Sequence, residues 1–307
     1  RASDMTESKL PPWEAAFRDR RVRADRRLLL KVATRLRWHC RDWFGRRMLV
    51  GRGVEIGAQY VPTKVDPRKA SVDYVDAVSN EHLVRRYALS ERKLVPLAHV
   101  LEATDLEPYA DGSRDFLIAH HVLEHIDDPV GAVVEWLRVL KSGGLLFLSV
   151  PNYRGNHYDF RRIPPDREHL LLDRTDPAGR PARNLDHYRD MARTMWDWSP
   201  DDPRVEQTAR TWTEAGDRHH YHVFDESTLR DVLDLAARES GCRLDLDGYL
   251  LLDHGFEWLV LARKSPAGEA GAHWPSRTVS RPASLTVFGR TILSEAHRRL
   301  FARVRQR

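Results

Sequence analysis

The chain predicts an α/β fold: a seven-stranded, mostly parallel sheet with an antiparallel last strand, helices on both faces and an insertion after strand five. Three observations predict it. Val54 to Gly57 is a short apolar run carrying Glu55 and ending on glycine, and Val72 to Asp76 is a second run ending on an acid about 20 residues on. Leu145 to Val150 (L-L-F-L-S-V) is almost continuously apolar, as a strand buried on both faces of a parallel sheet must be. Arg243 to Leu252 and Phe256 to Ala262 flank Asp253-His254-Gly255, the pattern of a hairpin.

The elements follow in order. Ala24 to Trp43 predicts a helix, because Leu28, Leu29, Val32, Leu36, Cys40 and Trp43 recur at spacings of three and four. Its other face is arginine, and it is expected to pack on the core or roof the ligand cleft. After strands Val54–Gly57 and Val72–Asp76, Glu81 to Tyr87 predicts a helix and Val100 to Thr104 a third strand. Phe116 to Ala119 is strand four. Asp128 to Leu140 predicts an amphipathic helix with the stripe Val130, Val133, Val134, Leu137 and Leu140, stopped by Gly143-Gly144. Pro151 ends strand five. Asn152 to His222 is long, polar and almost without periodicity, the mark of a lid or inserted unit. Asp225 is the expected N-cap of a helix to Arg238, with Leu229, Val232, Leu233 and Ala236 buried. The expected organisation is a basic helical region (1–48), a ligand-binding core (49–151), an insertion that holds substrate (152–222), the end of the core (223–264), and a linker with a basic helix (265–307).

Composition narrows the class. An apolar share of 41% in 307 residues supports a full core. No run of 18 apolar residues crosses a membrane, and the first residues carry no signal-peptide core. Arg1 to Asp4, ahead of Met5, read as residues added for expression. Cys40 and Cys242 form no disulfide framework and point to a reducing, cytoplasmic setting. The net charge of +5 is unevenly spread, dense in arginine over Arg18–Arg47 and Arg290–Arg307; this reads first as solvated helix faces, and otherwise as surfaces for nucleic acid, anionic lipid (a peripheral membrane contact of the basic tail) or an acidic partner. The richness in arginine with alanine, aspartate and proline points to a GC-rich bacterial genome.

Five motifs in register carry a resemblance. V-E-I-G-A at Val54, Y-V-D ending at Asp76, E-A-T-D-L-E-P-Y-A-D-G-S-R-D-F, H-H-V-L-E-H-I-D-D-P and L-R-V-L-K-S-G-G-L-L-F-L-S-V-P resemble the motifs of the class I S-adenosylmethionine (SAM) methyltransferases, Rossmann-like enzymes of the type 11 kind. The resemblance spans about Val54 to Lys264. It implies SAM as cofactor and S-adenosyl-L-homocysteine as product. It places Glu55, Gly57, Ala58 and Gln59 beneath the methionine part, Asp76 on the ribose hydroxyls, Glu102 or Ala103 beside the adenine, and His120 in the pocket after strand four. The chain departs from the family's glycine pattern at Ala58, Gln59 and Tyr60, and Pro62 stiffens the loop. An unusual approach to the methionine end is therefore expected.

Methyl transfer to a hydroxyl needs in-line alignment and a base. His121, His157 and His169 are the expected candidates, by position relative to strands four and five. His121-Val122-Leu123-Glu124-His125 also matches the H-x-x-E-H of inverted zinc peptidases. It resembles as well the E-x-x-E-H run of small-RNA 2′-O-methyltransferases that bind Mg²⁺, but His121 stands where that run has an acid, a poor ligand for a hard ion. No catalytic metal is expected. Y-D-F-R-R-I-P-P-D-R-E-H-L resembles a segment of bacterial methyltransferases found with sugar-transfer genes. Tyr188, Trp196, Trp198, Trp212 and Tyr221 would suit stacking on a sugar ring or a small satellite core. The expected acceptor is a hydroxyl of a sugar, glycan or glycosylated small molecule in carbohydrate or natural-product biosynthesis. The alternatives are an RNA 2′-O-methyltransferase and a SAM-binding protein without catalysis. Nucleic acid is not the expected partner; a second copy of the chain is a further candidate.

Overall fold

The computed structural model describes residues 40–87, 94–156, 158–252, 257–265 and 270–273, with the backbone alone for 86–87 and 247–252. Among them eight strands form one sheet: β1 (Gly51–Ile56), β2 (Ala70–Asp76), β3 (His99–Val100), β4 (Arg114–His120), β5 (Leu140–Pro151), β6 (Arg243–Leu252), β7 (Glu257–Ser265) and β8 (Gly271–His273). Their order is β3-β2-β1-β4-β5-β7-β6-β8. The first five are parallel, and β7 enters antiparallel between β5 and β6. The seven expected strands are present; β8 adds an eighth, parallel to β6. The helices are α1 (residues 40–48), α2 (Asn80–Tyr87), α3 (Pro129–Val139), α4 (Arg167–Thr175), α5 (Arg180–Trp196), α6 (Pro203–Glu214) and α7 (Glu226–Glu239).

Alternation along the strands makes two cores. Val54, Ile56, Leu117, Ala119, Leu146 and Leu148 lie under Val133, Trp136 and Leu137 of α3 and Leu229, Val232 and Leu233 of α7. The other face, Phe116, Ile118, Phe147, Leu259 and Leu261, lies under Phe44 of α1 and Leu49. Full burial of side chains this size contributes about 1.5–3 kcal/mol each. The expected N-terminal helix thus packs on the core where it is described, and continues past Trp43; its residues 24–39 lie outside the described residues. Gly53 faces Phe116 across β1 and β4, and a Cβ there would lie 2.0 Å from the ring. Asp128 caps α3 by accepting from the Gly131 amide at 2.8 Å. α3 ends at Val139, just before the expected Leu140, and β5 begins at once; its register shifts opposite Arg114–Phe116, near Gly143 at φ 80°.

Two expectations need correction. The third strand is only His99–Val100, because Leu101 donates back to the Asp76 carbonyl and the chain then turns, Asp105 N–H onto Glu102 O. The insertion is helical, not irregular. Asp166 and Asp202 cap α4 and α6, and Pro181 and Pro203 stand in the first turns of α5 and α6. Its aromatic residues stack on one another: Tyr188 on Tyr221 (5.1 Å, 19°), Trp196 on Trp198 (5.0 Å, 16°), Trp212 against His219 (4.2 Å). They form the satellite core. The insertion leaves and rejoins the sheet at one point, where Asn152 bridges Phe224 and the Tyr153 amide donates to the Phe224 carbonyl. The Asp253–Gly255 turn, the 274–307 tail and His157 lie outside the described residues.

Candidate active site

In a parallel α/β sheet the ligand cleft lies beyond the carboxyl ends of the strands where the order reverses, here between β1 and β4. The chain leaves β1 through Gly57 at φ 70°, whose amide donates to the Val75 carbonyl at 2.9 Å. Gln59, not a glycine, takes the next left-handed position at φ 49°. Its carbonyl accepts from Val95, and the Ala58 carbonyl accepts from Val61, which curls the loop tightly. The loop then returns so that the Thr63 amide and hydroxyl donate to Glu55, the amide at 2.9 and 3.1 Å and the hydroxyl at 2.8 Å. Glu55 is buried and grips the loop from beneath. Burial pushes its carboxyl up to about 7, against the Thr63 hydrogen bonds that lower it.

Asp76 ends β2 with 7% of its surface exposed. Its Oδ1 accepts from Val78 N–H at 3.3 Å, while its buried Oδ2 has no hydrogen-bond partner. Burial raises its carboxyl above the ordinary range. A buried acceptor without a donor is costly and fits a ligand that brings hydroxyls. Glu102 is close enough to act on Asp76 electrostatically, but both its oxygens are engaged, each at 2.6 Å, by the Arg218 guanidinium reaching over from the insertion. Ala103 is buried, and its carbonyl accepts from Trp136 Nε1 at 2.8 Å, so α3 fixes the loop beside the expected adenine.

The two histidines after β4 part company. His120 turns toward α1, with Nδ1 3.1 Å from Ser149 Oγ and its ring edge-on to Phe147. Burial keeps it neutral, well below the ordinary histidine range. His121 takes φ 56°, a left-handed conformation that costs energy in a non-glycine residue. That turn sets Nε2 2.7 Å from Glu257 Oε2 and Nδ1 3.5 Å from Glu124 Oε1. Glu257 is fully buried and also pairs with Arg41 of α1, which donates to Ser149 Oγ at 2.8 Å. Glu124 is 1% exposed and neither of its oxygens has a hydrogen-bond partner. Leu123–His125 is a 3₁₀ turn, so His121 and His125 do not share a helix face as a peptidase pair would. His125 Nδ1 instead donates to the Arg218 carbonyl at 2.9 Å.

His169 lies on α4, among Asp173, His187 and His222. Glu124, His125 and His220 form a second group whose ligand atoms lie within 4.8 Å of one another, and these two groups are where a metal could be held among the described residues. Thr63, Arg41 and Glu257 escaped the sequence. Glu257 lies 136 positions from His121, and only its being an acid at the head of an apolar strand marks it.

Comparison with known proteins gives one family match, over part of the chain. A family model described as a methyltransferase domain matches residues 50–148. No curated protein gives a significant match. Solved structures similar to the chain include one described as a Zn-dependent alcohol dehydrogenase from Rhodobacter sphaeroides (17% identity, 73% of this chain and 88% of that, TM-score 0.45). Others are SAM-dependent methyltransferases from Methanosarcina mazei (20%, 70% and 93%, 0.38) and Thermotoga maritima (17%, 78% and 97%, 0.37). These three likenesses carry no argument about activity.

Proposed function

We propose that the chain, whose residues 50–148 match a methyltransferase-domain family model, is a class I SAM-dependent methyltransferase that methylates a hydroxyl of a sugar, glycan or glycosylated small molecule, with His121 as the base. The observation that carries this is the His121 ring held between two buried carboxylates at the end of β4. When bound, SAM supplies an electrophilic methyl group for in-line displacement by the acceptor oxygen. Asp76, with its unpartnered Oδ2, would hold the ribose, and the loop clamped by Glu55 would border the methionine end. Glu257 accepts the Nε2–H of His121, which leaves Nδ1 as the atom that takes the hydroxyl proton. The imidazolium so formed lies 3.5 Å from the Glu124 carboxylate, which stabilises it. The insertion closes this end of the sheet through Arg218 on Glu102 and supplies the acceptor surface.

We place this chemistry in the cytoplasm. Cys40 and Cys242 are buried and unpaired, as in a reducing cytoplasm. No helix among the described residues is long and apolar enough to cross a membrane. The test is incubation with methyl-labelled SAM and fractionated extract, separated into glycan, small-molecule, RNA and protein pools. Alkali-stable methyl label in the glycan or small-molecule pool, lost with His121→Ala, is expected. Label confined to RNA or protein contradicts the acceptor.

A further inference from the structure

The insertion gathers four ligand-type side chains that methyl transfer does not use. His169 and Asp173 stand one turn apart on α4, His187 comes from α5, and His222 from the strand-like return to the sheet. Asp173 and His222 are each about 1% exposed. The ligand atoms face one another: His169 Nε2 to His187 Nε2 is 3.2 Å, His169 Nε2 to Asp173 Oδ2 is 3.1 Å, and His222 Nε2 to Asp173 Oδ2 is 2.9 Å. A tetrahedral ion with bonds of about 2.0–2.1 Å sets its ligand atoms about 3.3 Å apart. The three separations are close to the edges of such a tetrahedron.

Proton accounting points the same way. His222 Nδ1 lies 3.2 Å from the Ile126 carbonyl, which only accepts, so Nδ1 carries the proton. In a neutral ring Nε2 is then a lone pair aimed at a carboxylate oxygen 2.9 Å away. A single proton on His169 Nε2 cannot serve both Asp173 and His187. A cation at the centre satisfies all four groups at once. The outer contacts suit it as well. Ile126 fixes the His222 tautomer, and Arg183 Nε holds the other Asp173 oxygen at 2.6 Å, which turns Oδ2 inward. The site opens on a cleft of about 240 Å³ also lined by Asp166 and Asp190.

We propose that His169, Asp173, His187 and His222 bind one divalent transition-metal ion of the Zn²⁺ class, which pins α4, α5 and the return segment to the loop after β4. Three imidazoles and one carboxylate suit Zn²⁺ and not Mg²⁺ or Ca²⁺, which prefer all-oxygen sets. The inference does not depend on the acceptor or on the methyltransferase reading.

The test uses the whole chain, stripped with chelator, loaded with Zn²⁺ or Co²⁺, passed through gel filtration and assayed for metal by plasma mass spectrometry. One ion per chain is expected, with an intense visible Co²⁺ band of tetrahedral type. His187→Gln and His222→Gln are expected to weaken binding at least about tenfold, and Glu124→Gln to leave it unchanged. The Co²⁺ band is read on the wild type, so it stands even where a variant folds poorly. Wild type that retains no ion, an octahedral Co²⁺ spectrum, or loss of the ion in Glu124→Gln with retention in His187→Gln would overturn the proposal.

Discussion

Glu55→Gln should remove a pH-dependent penalty that the fold carries. Glu55 is 2% exposed and its carboxyl is pushed from an ordinary 4.5 to about 7, mainly by burial. Below pH 4.5 the folded and unfolded chains both hold this proton. Between 4.5 and about 7 the unfolded chain has released it while the folded chain keeps it, so stability falls as pH rises. Above about 7 the whole penalty is present, on the order of 3 kcal/mol from the width of that window. Glutamine still accepts from Thr63 through its carbonyl and has no charge to desolvate. The assay is urea unfolding of both proteins from pH 4 to 8, read as the difference in unfolding free energy. The variant should gain about 3 kcal/mol on the wild type across the window. Parallel curves, or a wild type that gains with rising pH, would show that Thr63 and not burial governs Glu55.

Other outcomes follow from the same contacts. Glu257→Gln should lower the methylation rate by about 10²–10⁴-fold at unchanged SAM affinity, because it disturbs the base and not the cofactor site; single-turnover transfer and calorimetry separate the two. It should also lower the thermal midpoint, since removing one member of the buried Arg41–Glu257 pair costs about 3–5 kcal/mol. Gly53→Ala should destabilise by at least about 1–3 kcal/mol, because its Cβ meets the Phe116 ring in the packed centre of the sheet; calorimetric unfolding measures this, and a neutral result would mean that the β1–β4 register is wrong.

The sheet was legible because its strands carry their own marks. An acid or glycine ends each parallel run at β1 and β2, and Asp128-Pro129 and Asp225 begin α3 and α7. The insertion was not, because its helices bury little apolar surface. α4 buries only Leu170 and Asp173, and its faces are fixed by ion pairs such as Arg183 with Asp173. Period-based reading sees apolar stripes and misses charged ones. Asp166 and the Asp202-Pro203 pair were the signals that could have found α4 and α6. Within the site, Asp76 and the loop at Gly57 stood in the sequence, and the departure at Gln59 resolves as a left-handed residue in a glycine's place. Glu102 was read for the adenine, yet its carboxylate is held by Arg218, a partner 116 positions away that no local pattern announces.

Titration calorimetry with SAM tests the central claim most directly. The wild type should bind one SAM per chain. Asp76→Ala should weaken binding by about 100-fold or more, since hydrogen bonds to a charged group contribute about 1.5–3 kcal/mol each and a ribose offers two hydroxyls. Wild type that does not bind SAM, or Asp76→Ala that binds it undiminished, would contradict the account.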